Sequence, residues 1–364
     1  MIESNGLQTR LRTWARLIEG APEQFGCASA ELWRDWFAAT TPSGRAFTIL
    51  LLLILATVPV WGGTPLITTM IAVLWLAYAG QTWNLLAGFA GLFSLGHALF
   101  IGVGGYLAAL FALRGGLGAG LSVVLALPTA LLVGAAVGAL GCRAGLKSAH
   151  FTVLTLILAE TARLGASHLD RLGGAAGLSL PQAMSNGKPV FAYYSILGLT
   201  GLALVTIRLL LRSRLGYHWL AVREDAQAAA ASGINIYRAK IWAVAVSAAL
   251  AAPAGVFLAL SLHQADPGHM LSFERSLAPL LGAAIGGIGT LVGPVLGAFV
   301  VVPLDQALSW LITRSHHDLS ALKPIAAGLA LVLVAMAAPG GLWPGFAHRL
   351  RLLKPPASSP STPP

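Results

Sequence analysis

Ten apolar runs dominate the sequence and constrain the fold more than any other feature. They lie at residues 46–61, 65–87, 96–113, 119–141, 149–166, 190–211, 240–262, 275–290, 292–312 and 322–338. A helix needs about 20 residues to cross the hydrocarbon of a bilayer, so the shorter runs predict tilted, broken or re-entrant segments. With 56% hydrophobic residues and a mean hydropathy of +0.76, the chain cannot form a soluble domain with a polar surface. We therefore predict an all-α, polytopic transmembrane helical bundle of about 10 spans, within a range of about 8 to 11.

The positions of the basic residues predict the orientation of the bundle. Starting inside, ten spans place the connection near Arg143 and Lys147, the segment 208–240 and the basic C-terminal tail on the cytoplasmic side. The outer connections hold far fewer basic residues; they lie near 61–65, 114–118, 167–189, 263–274 and 313–321. Positive residues near span ends stay in the cytoplasm, so both termini are predicted to be cytoplasmic. An odd number of spans would place one tail on the wrong side.

Charge and motif content exclude several other classes of protein. The net charge of +10 comes from basic residues at span ends and in the tails, which favours membrane topology over nucleic-acid binding. The two cysteines, Cys27 and Cys142, support neither a disulfide framework nor a metal site. The sequence contains no Walker A, H-E-x-x-H or G-x-S-x-G motif. We predict a non-catalytic chain without its own metal or cofactor.

The two terminal segments differ from the apolar middle. Residues 1–44 are polar and cytoplasmic by prediction, and the first apolar run begins too late for a cleaved signal peptide. Part of this segment forms one apolar helical face with arginines beside it, made of Leu7, Leu11, Trp14, Leu17 and Ile18. That face suggests a helix lying on the membrane surface, with an ordinary solvated extension as the equal alternative. The membrane domain is predicted at residues 45–345, and residues 346–364 form a disordered cytoplasmic tail.

The segment 208–240 is the longest charged stretch between apolar runs. Its charged residues are Arg208, Arg212, Arg214, Arg223, Glu224, Asp225, Arg238 and Lys240. One interpretation is a cytoplasmic loop whose arginines fix the orientation of the chain. The other is a docking element, because the alanine-rich residues from Asp225 to Ser232 predict a short helix. Gly233 follows where such a helix would end in the left-handed conformation.

Three separated motifs resemble one family of membrane proteins. Residues 221–240 read A-V-R-E-D-A-Q-A-A-A-A-S-G-I-N-I-Y-R-A-K, residues 93–106 read F-S-L-G-H-A-L-F-I-G-V-G-G-Y, and residues 282–298 read G-A-A-I-G-G-I-G-T-L-V-G-P-V-L-G-A. In this order they resemble the branched-chain amino acid permeases of ABC importers, in particular the LivM-like member of the permease pair. The resemblance spans roughly residues 45–345. It makes residues 208–240 a coupling loop and assigns coupling to the ATPase to Arg223, Glu224, Asp225 and Gly233.

The sequence departs from this family at three positions. Ala226 and Ala230 stand where the family usually has acidic residues, which reduces the charge available for an ATPase contact. Pro253 stands where a glycine is more usual, and a proline inside a helix is expected to kink or locally break the seventh run.

Two glycine clusters indicate where a translocation path could run. The first contains Gly88, Gly91, Gly96, Gly102, Gly104 and Gly105, and the second contains Gly282, Gly286, Gly287, Gly289, Gly293 and Gly297. Glycine-interrupted segments in matching positions of two repeated halves mark the path in many transporters. Close helix packing through small residues explains the clusters equally well. A repeat of two halves is therefore a hypothesis.

Polar residues inside the apolar runs are further candidates. An unpaired polar group in hydrocarbon is costly, so such a residue either bonds a neighbouring helix or faces a water-filled path. Our candidates for the path are Asn84, Ser94, His97, Gly104, Gly287 and Gly289. Glu160 and Arg163 lie three residues apart on one helix and are expected to pair with each other. Asp305 has no obvious partner in the sequence, which would suit a proton-coupled carrier.

The resemblance implies a transport subunit in the bacterial inner membrane, with many passes through the bilayer. Its expected partners are a second related permease, two cytoplasmic ABC ATPases that bind the ATP, and a periplasmic substrate-binding protein. The outer segment 168–189 is either a lip that contacts this binding protein or a plain loop. Substrates of such systems include branched-chain amino acids, urea and amides, and the binding protein largely sets the selectivity. The alternative function is an ATP-independent secondary transporter or channel for a small solute.

Overall fold

The computed structural model describes residues 53–115, 119–143, 148–180, 189–314, 325, 328–329 and 340–349. The described residues up to Pro344 belong to one compact unit. Several predictions fall outside the described residues: those on residues 1–44, on the tail beyond Arg349 and on most of the run 322–338.

The regular secondary structure of the described residues is helical apart from one short strand pair, with irregular loops between the elements. The helices are α1 (53–61), α2 (Thr64–Asn84), α3 (His97–Gly115), α4 (Ala119–Arg143), α5 (Ser148–His168), α6 (Pro189–Arg212), α7 (Arg214–Glu224), α8 (Ala226–Ala231), α9 (Ile236–Leu262), α10 (Pro267–Met270), α11 (Phe273–Gly286), α12 (Gly293–Arg314) and α13 (Leu342–Arg349). Leu85–Phe89 is a π-helical turn, and Asp170–Leu172 and Gly174–Ala176 are 3-10 turns. Strands β1 (Leu178–Ser179) and β2 (Gln264–Ala265) pair antiparallel, with Leu178 opposite Ala265. The predicted all-α class is confirmed.

Five helical segments among the described residues are long and apolar enough to cross a membrane. They are Thr64–Phe89, Gly120–Arg143, Pro189–Arg212, Ile236–Leu262 and Gly293–Leu311. They coincide with the predicted runs 65–87, 119–141, 190–211, 240–262 and 292–312. The apolar part of α3, His97–Leu113, is shorter. The predicted total of about ten spans stays a prediction.

The eighth apolar run, 275–290, is one of the shorter runs for which tilted, broken or re-entrant segments were predicted, and the structure shows it broken. Helix α11 covers Phe273–Gly286, which is 14 residues, or roughly 21 Å at 1.5 Å per residue. This is shorter than the hydrocarbon core of about 30 Å. The helix ends because Gly287 and Gly289 take positive φ angles of 130° and 78°. The glycines of the second cluster mark this break, whereas hydropathy does not, since the residues that follow are as apolar as the helix.

The local break predicted at Pro253 is not observed, because α9 runs without interruption from Ile236 to Leu262, and the kink predicted as the alternative stays a prediction. Side chains of α2 bind the α9 backbone on both sides of the proline. Tyr78 donates its hydroxyl proton to the carbonyl of Leu250 at 2.6 Å, and the Trp75 indole donates to the carbonyl of Ala254 at 3.0 Å. These bonds fasten the part of α9 around the proline to α2, as neighbouring helices commonly do for proline-containing segments in membranes.

The connections gather at two ends of the bundle. At one end, Ser148 donates to the carbonyl of Gly91 at 3.4 Å, so the start of α5 lies beside the loop between α2 and α3. At the other end, Gln264 donates to the carbonyl of Ala176 at 3.0 Å, and β1 pairs with β2. The contacts between the segment 208–240 and the end of α2, described below, place that segment at the first end. This grouping is the one that the basic residues predicted for the two sides of the membrane.

Helices α3 and α9 approach each other closely through small residues. A Cβ atom on Gly104 would lie 2.0 Å from the carbonyl oxygen of Ala252, and one on Gly255 would lie 1.7 Å from that of Ile101. Small residues at such contacts let two membrane helices pack backbone to backbone. Gly104, predicted as a path residue, therefore lies at a helix contact.

This contact predicts that Gly104→Ala destabilises the protein. The added methyl group overlaps the α9 backbone, and overpacking of this kind costs about 1–3 kcal/mol. We expect a clearly lower midpoint of thermal unfolding in detergent. Gly201→Ala on α6 is the matched control, because nothing lies within 4 Å of its Cβ position. Equal midpoints for the two variants would contradict the close packing of α3 on α9.

Candidate functional site

The segment between α6 and α9, which we call the coupling segment (residues 213–235), is anchored to the bundle by α7. Trp219 of α7 is 1% exposed, and its indole donates to the carbonyl of Ala239 in the first turns of α9 at 3.0 Å. Val222, one turn later, is also buried. Helix α7 is therefore fixed to the N-terminal end of α9 by the buried Trp219 ring, whose indole N–H has a hydrogen-bond acceptor.

Helix α8 is short and closed at both ends by hydrogen bonds. The carboxylate of Asp225 accepts bonds from the backbone N–H groups of Gln227 at 2.7 Å and Ala228 at 3.0 Å, which is an N-cap. At the other end, Gly233 has φ of 84°, and its N–H donates to the carbonyl of Ala230. Ile234 donates to the carbonyl of Ala229, which completes a Schellman motif. The predicted helix with its glycine stop is confirmed.

The caps matter because six residues are too few for a stable helix in water. Ala229 is buried, whereas most of the α8 surface is exposed. The coupling segment thus presents a small helix of fixed geometry at the surface of the bundle.

The four predicted coupling residues do not share one environment. Glu224, Asp225 and Gly233 are exposed, whereas the side chain of Arg223 turns toward the bundle. Its guanidinium donates to the carbonyl of Gly88 in the π-helical turn, and its stem packs beside Gly91. Burial lowers the pKa of the Arg223 guanidinium, and the adjacent Glu224 raises it. The sequence offered no signal that separated Arg223 from its charged neighbours.

The end of α2 meets the break between α11 and α12, and we call this place the helix junction (residues 84–89 and 287–291). Asn84, which is fully buried, holds it together. Its amide nitrogen donates to the carbonyl of Thr290 at 2.8 Å, and its amide oxygen accepts from the N–H of Gly289 at 2.7 Å. A Cβ atom on Gly88 would lie 2.6 Å from the nitrogen of Gly289. Both glycine clusters of the sequence therefore contribute to one contact.

Other polar residues reinforce the helix junction. The Gln81 side chain donates to the carbonyl of Leu291. The Thr290 hydroxyl donates to the carbonyl of Gly287 at 2.8 Å and accepts from the N–H of Gly293 at 3.0 Å. Gln81 and Thr290 were not among the predicted path residues, although polar residues inside apolar runs are a signal that the sequence shows.

Ser94 and His97 belong to a second buried network beside the helix junction. The Trp83 indole donates to the carbonyl of Ser94 at 2.8 Å. The Nε2 atom of His97 lies 3.0 Å from the hydroxyl of Thr82, and Ser247 of α9 donates to the Thr82 carbonyl at 2.8 Å. In the part of the chain that the structure describes, the Nδ1 atom of His97 has no hydrogen-bond partner. This network ties α2, the start of α3 and α9 together.

Ser94 also lines a cavity of about 360 Å³. Its other walls come from the loop before α3, from α5 and from α11, and the lining residues are Phe93, Ser94, Leu95, Ala149, Thr152 and Leu280. Of the predicted path residues, Asn84, Gly287 and Gly289 meet in the helix junction, Ser94 reaches this cavity, and Gly104 lies apart from both.

Comparison with known proteins matches residues 65–337 to the family described as the branched-chain amino acid transport system permease component. The chain belongs to this family. Five apolar helices and this match make the permease a multi-pass membrane protein.

Three known proteins show the range of sequences to which this chain is similar. The permease is 29% identical over 318 residues to the high-affinity branched-chain amino acid transport system permease protein LivM of Escherichia coli strain K12, covering 78% of this chain and 72% of LivM. It is 32% identical over 195 residues to the autoinducer 2 import system permease protein LsrC of Enterobacter sp. strain 638, covering 50% and 56% of the two chains. It is 31% identical over 122 residues to the xylose transport system permease protein XylH of Haemophilus influenzae, covering 32% of each. No solved structure matches the permease.

Two predictions concerned charged residues outside the coupling segment, the pair Glu160–Arg163 and Asp305. Arg163 donates to Glu160 at 2.8 Å, which confirms the predicted pair, and each side chain is 35% exposed. Asp305 is exposed on α12 and takes part in an interaction within the described chain. Its role in a proton-coupled carrier stays a prediction. Among the described residues, no three His, Cys, Asp or Glu side chains are grouped to hold a metal ion.

Proposed function

We propose that this permease is the transmembrane subunit of an ABC importer in the bacterial inner membrane. It pairs with a second, related permease, and two cytoplasmic ABC ATPases bind its coupling segment and that of its partner. A periplasmic binding protein delivers the solute. The proposed solutes are branched-chain amino acids or related small organic molecules, in line with the name of the LivM relative.

One observation carries this proposal: α8 is a capped, exposed helix fixed to the bundle through α7. A motor protein on another chain can move the bundle only through an element that does not deform when pushed. The N-cap at Asp225, the Schellman motif at Gly233 and the Trp219 anchor provide that stiffness. Closure of the ATPases on ATP would shift α7 and α8 together and change the relative stability of inward- and outward-facing states.

The exposed surface of α8 is nearly uncharged. Gln227, Ala228, Ala230 and Ala231 are exposed there, and Glu224 and Asp225 lie at its start. We therefore propose that the ATPase contact is small and largely apolar, with the charge confined to one end of the helix. This fits the two alanines that stand where relatives usually have acids.

The proposal is tested by reconstitution with and without ATP. The permease is co-expressed with the proteins encoded beside it, purified by a tag on the permease, and placed in vesicles. We expect an ATPase to copurify, and uptake of labelled solute to require both ATP and the binding protein. The solute is chosen beforehand by measuring ligand binding to the cognate binding protein. Uptake by the permease alone, driven by an ion gradient, would overturn the proposal in favour of a secondary transporter.

A further inference from the structure

Arg223 connects the coupling segment with the helix junction. It belongs to α7 in the coupling segment, yet its guanidinium binds the carbonyl of Gly88 in the π-helical turn of the helix junction. The two residues are 135 positions apart in the sequence. Its stem fills the space beside Gly91, where a Cβ atom would lie 3.1 Å from the Arg223 Cγ atom. The side chain thus contacts the helix junction through both its charged head and its apolar stem.

The π-helical turn is suited to act as a hinge. Leu85–Phe89 follows directly on α2, and the chain then leaves helical structure before α3 begins at His97. Turns of this kind are rare and often lie at functional sites, and all five residues of this one are buried. Bends in helices concentrate where the regular hydrogen-bond ladder is interrupted. A force applied at Gly88 would therefore move the turn rather than the whole of α2.

Asn84 connects this turn to the second half of the chain. It lies at the start of the turn and bonds Gly289 and Thr290, which separate α11 from α12. Gly88 of the turn also packs directly on this break, because a Cβ atom on Gly88 would lie 2.6 Å from the nitrogen of Gly289, so a displacement of the turn must shift the break as well. Arg223, Gly88, Asn84 and Gly289 thus form a continuous series of contacts from the coupling segment to both broken regions of the bundle.

We propose that Arg223 is a positioning residue that transmits motion of the coupling segment to the helix junction, with the π-helical turn Leu85–Phe89 as the hinge. Binding of the ATPase falls to the exposed residues of the segment. This inference rests on the proposed function. It differs from ATPase docking by Arg223, because the guanidinium faces the bundle and not the exposed surface of α8.

The test separates transmission from docking by measuring three quantities on the full complex. They are the ratio of ATPase to permease after purification, the rate of ATP hydrolysis with loaded binding protein, and the uptake per ATP hydrolysed in vesicles. Arg223→Met keeps an apolar stem beside Gly91 and removes the donor to Gly88. We expect it to retain the wild-type ATPase ratio and to continue hydrolysing ATP, while uptake per ATP falls at least tenfold.

Two further variants complete the experiment. Arg223→Lys keeps the charge and one donor group with a shorter reach, so it should restore part of the uptake per ATP. Arg143→Met removes an exposed arginine at the same end of the bundle and should leave all three quantities unchanged. If Arg223→Met lowers the midpoint of thermal unfolding, its loss of uptake could come from instability. Arg223→Lys is then the variant compared with wild type, and its uptake per ATP must still lie below the wild-type value.

Each other outcome overturns the inference. Unchanged uptake per ATP in Arg223→Met would show that the Gly88 contact transmits nothing. Loss of the ATPase in proportion to the loss of uptake would make Arg223 a docking residue. A wild-type complex without ATP-driven uptake would overturn the proposed function itself, and this inference with it.

Discussion

Gly233→Val is expected to reduce ATP-driven uptake about tenfold or more, whereas Gly233→Asn is expected to retain most of it. The residue has φ of 84° at the end of α8, and nothing lies within 4 Å of its Cβ position. The effect of a side chain is therefore conformational and not steric crowding. Left-handed backbone costs an ordinary residue roughly 1–2 kcal/mol, and a β-branched residue is among the least tolerant. Asparagine adopts this conformation readily and preserves the end of the helix.

The measurement is uptake in vesicles that contain the complete transporter, with the amount of inserted permease determined in parallel. Because Gly233 is exposed, both variants should insert and unfold at nearly the wild-type temperature. A tenfold fall in uptake corresponds to an increase of about 1.4 kcal/mol in the free energy of the docking conformation relative to the others. Equal uptake for valine and wild type would mean that the geometry of α8 is irrelevant to transport.

Asn84→Leu is expected to destabilise the permease and to abolish uptake. Leucine has a similar size but leaves the N–H of Gly289 and the carbonyl of Thr290 without their partner. Each unsatisfied buried group costs about 1–3 kcal/mol, and the two losses are coupled because they share one side chain. The helix junction would then separate at the point where the two halves of the chain meet.

Thermal unfolding in detergent and uptake in vesicles measure the two parts of this prediction. Thr129→Val is the control, since within the described ranges the Thr129 hydroxyl bonds only the carbonyl of Leu125 in its own helix, at 3.0 Å. That variant should change the free energy of unfolding by less than about 0.5 kcal/mol. If Asn84→Leu proved as stable as Thr129→Val, the helix junction would not be held by Asn84.

The helix junction also bears on the two explanations of the glycine clusters. Small residues allow Gly88 and Gly289 to approach closely, and Asn84 satisfies its polar groups across that approach. The packing explanation therefore accounts for these contacts as observed. The repeat of two halves and the course of the solute through the bundle remain predictions, and the cavity lined by Ser94 is the place to probe for the latter.

Local signals in the sequence determined a large part of this protein. The apolar runs located five membrane-length helices, because the hydropathy of a span is a property of consecutive residues. The alanine stretch, Asp225 and Gly233 located α8 and its ends, since caps involve residues at most a few positions apart. The Glu160–Arg163 pair followed from its spacing on one helix.

Only the tertiary structure decided which polar residues meet across the bundle. Asn84 binds Thr290 across 206 positions and Arg223 binds Gly88 across 135, and no local pattern specifies either partner. Tyr78 and Trp75 of α2 likewise bond α9 carbonyls on both sides of Pro253, across 172 and 179 positions. Hydropathy predicts which residues lie in the membrane but not which helices pack against each other, because one apolar helix face fits a neighbour about as well as another. The neighbours follow from close packing at small residues and from the need to pair every buried polar group.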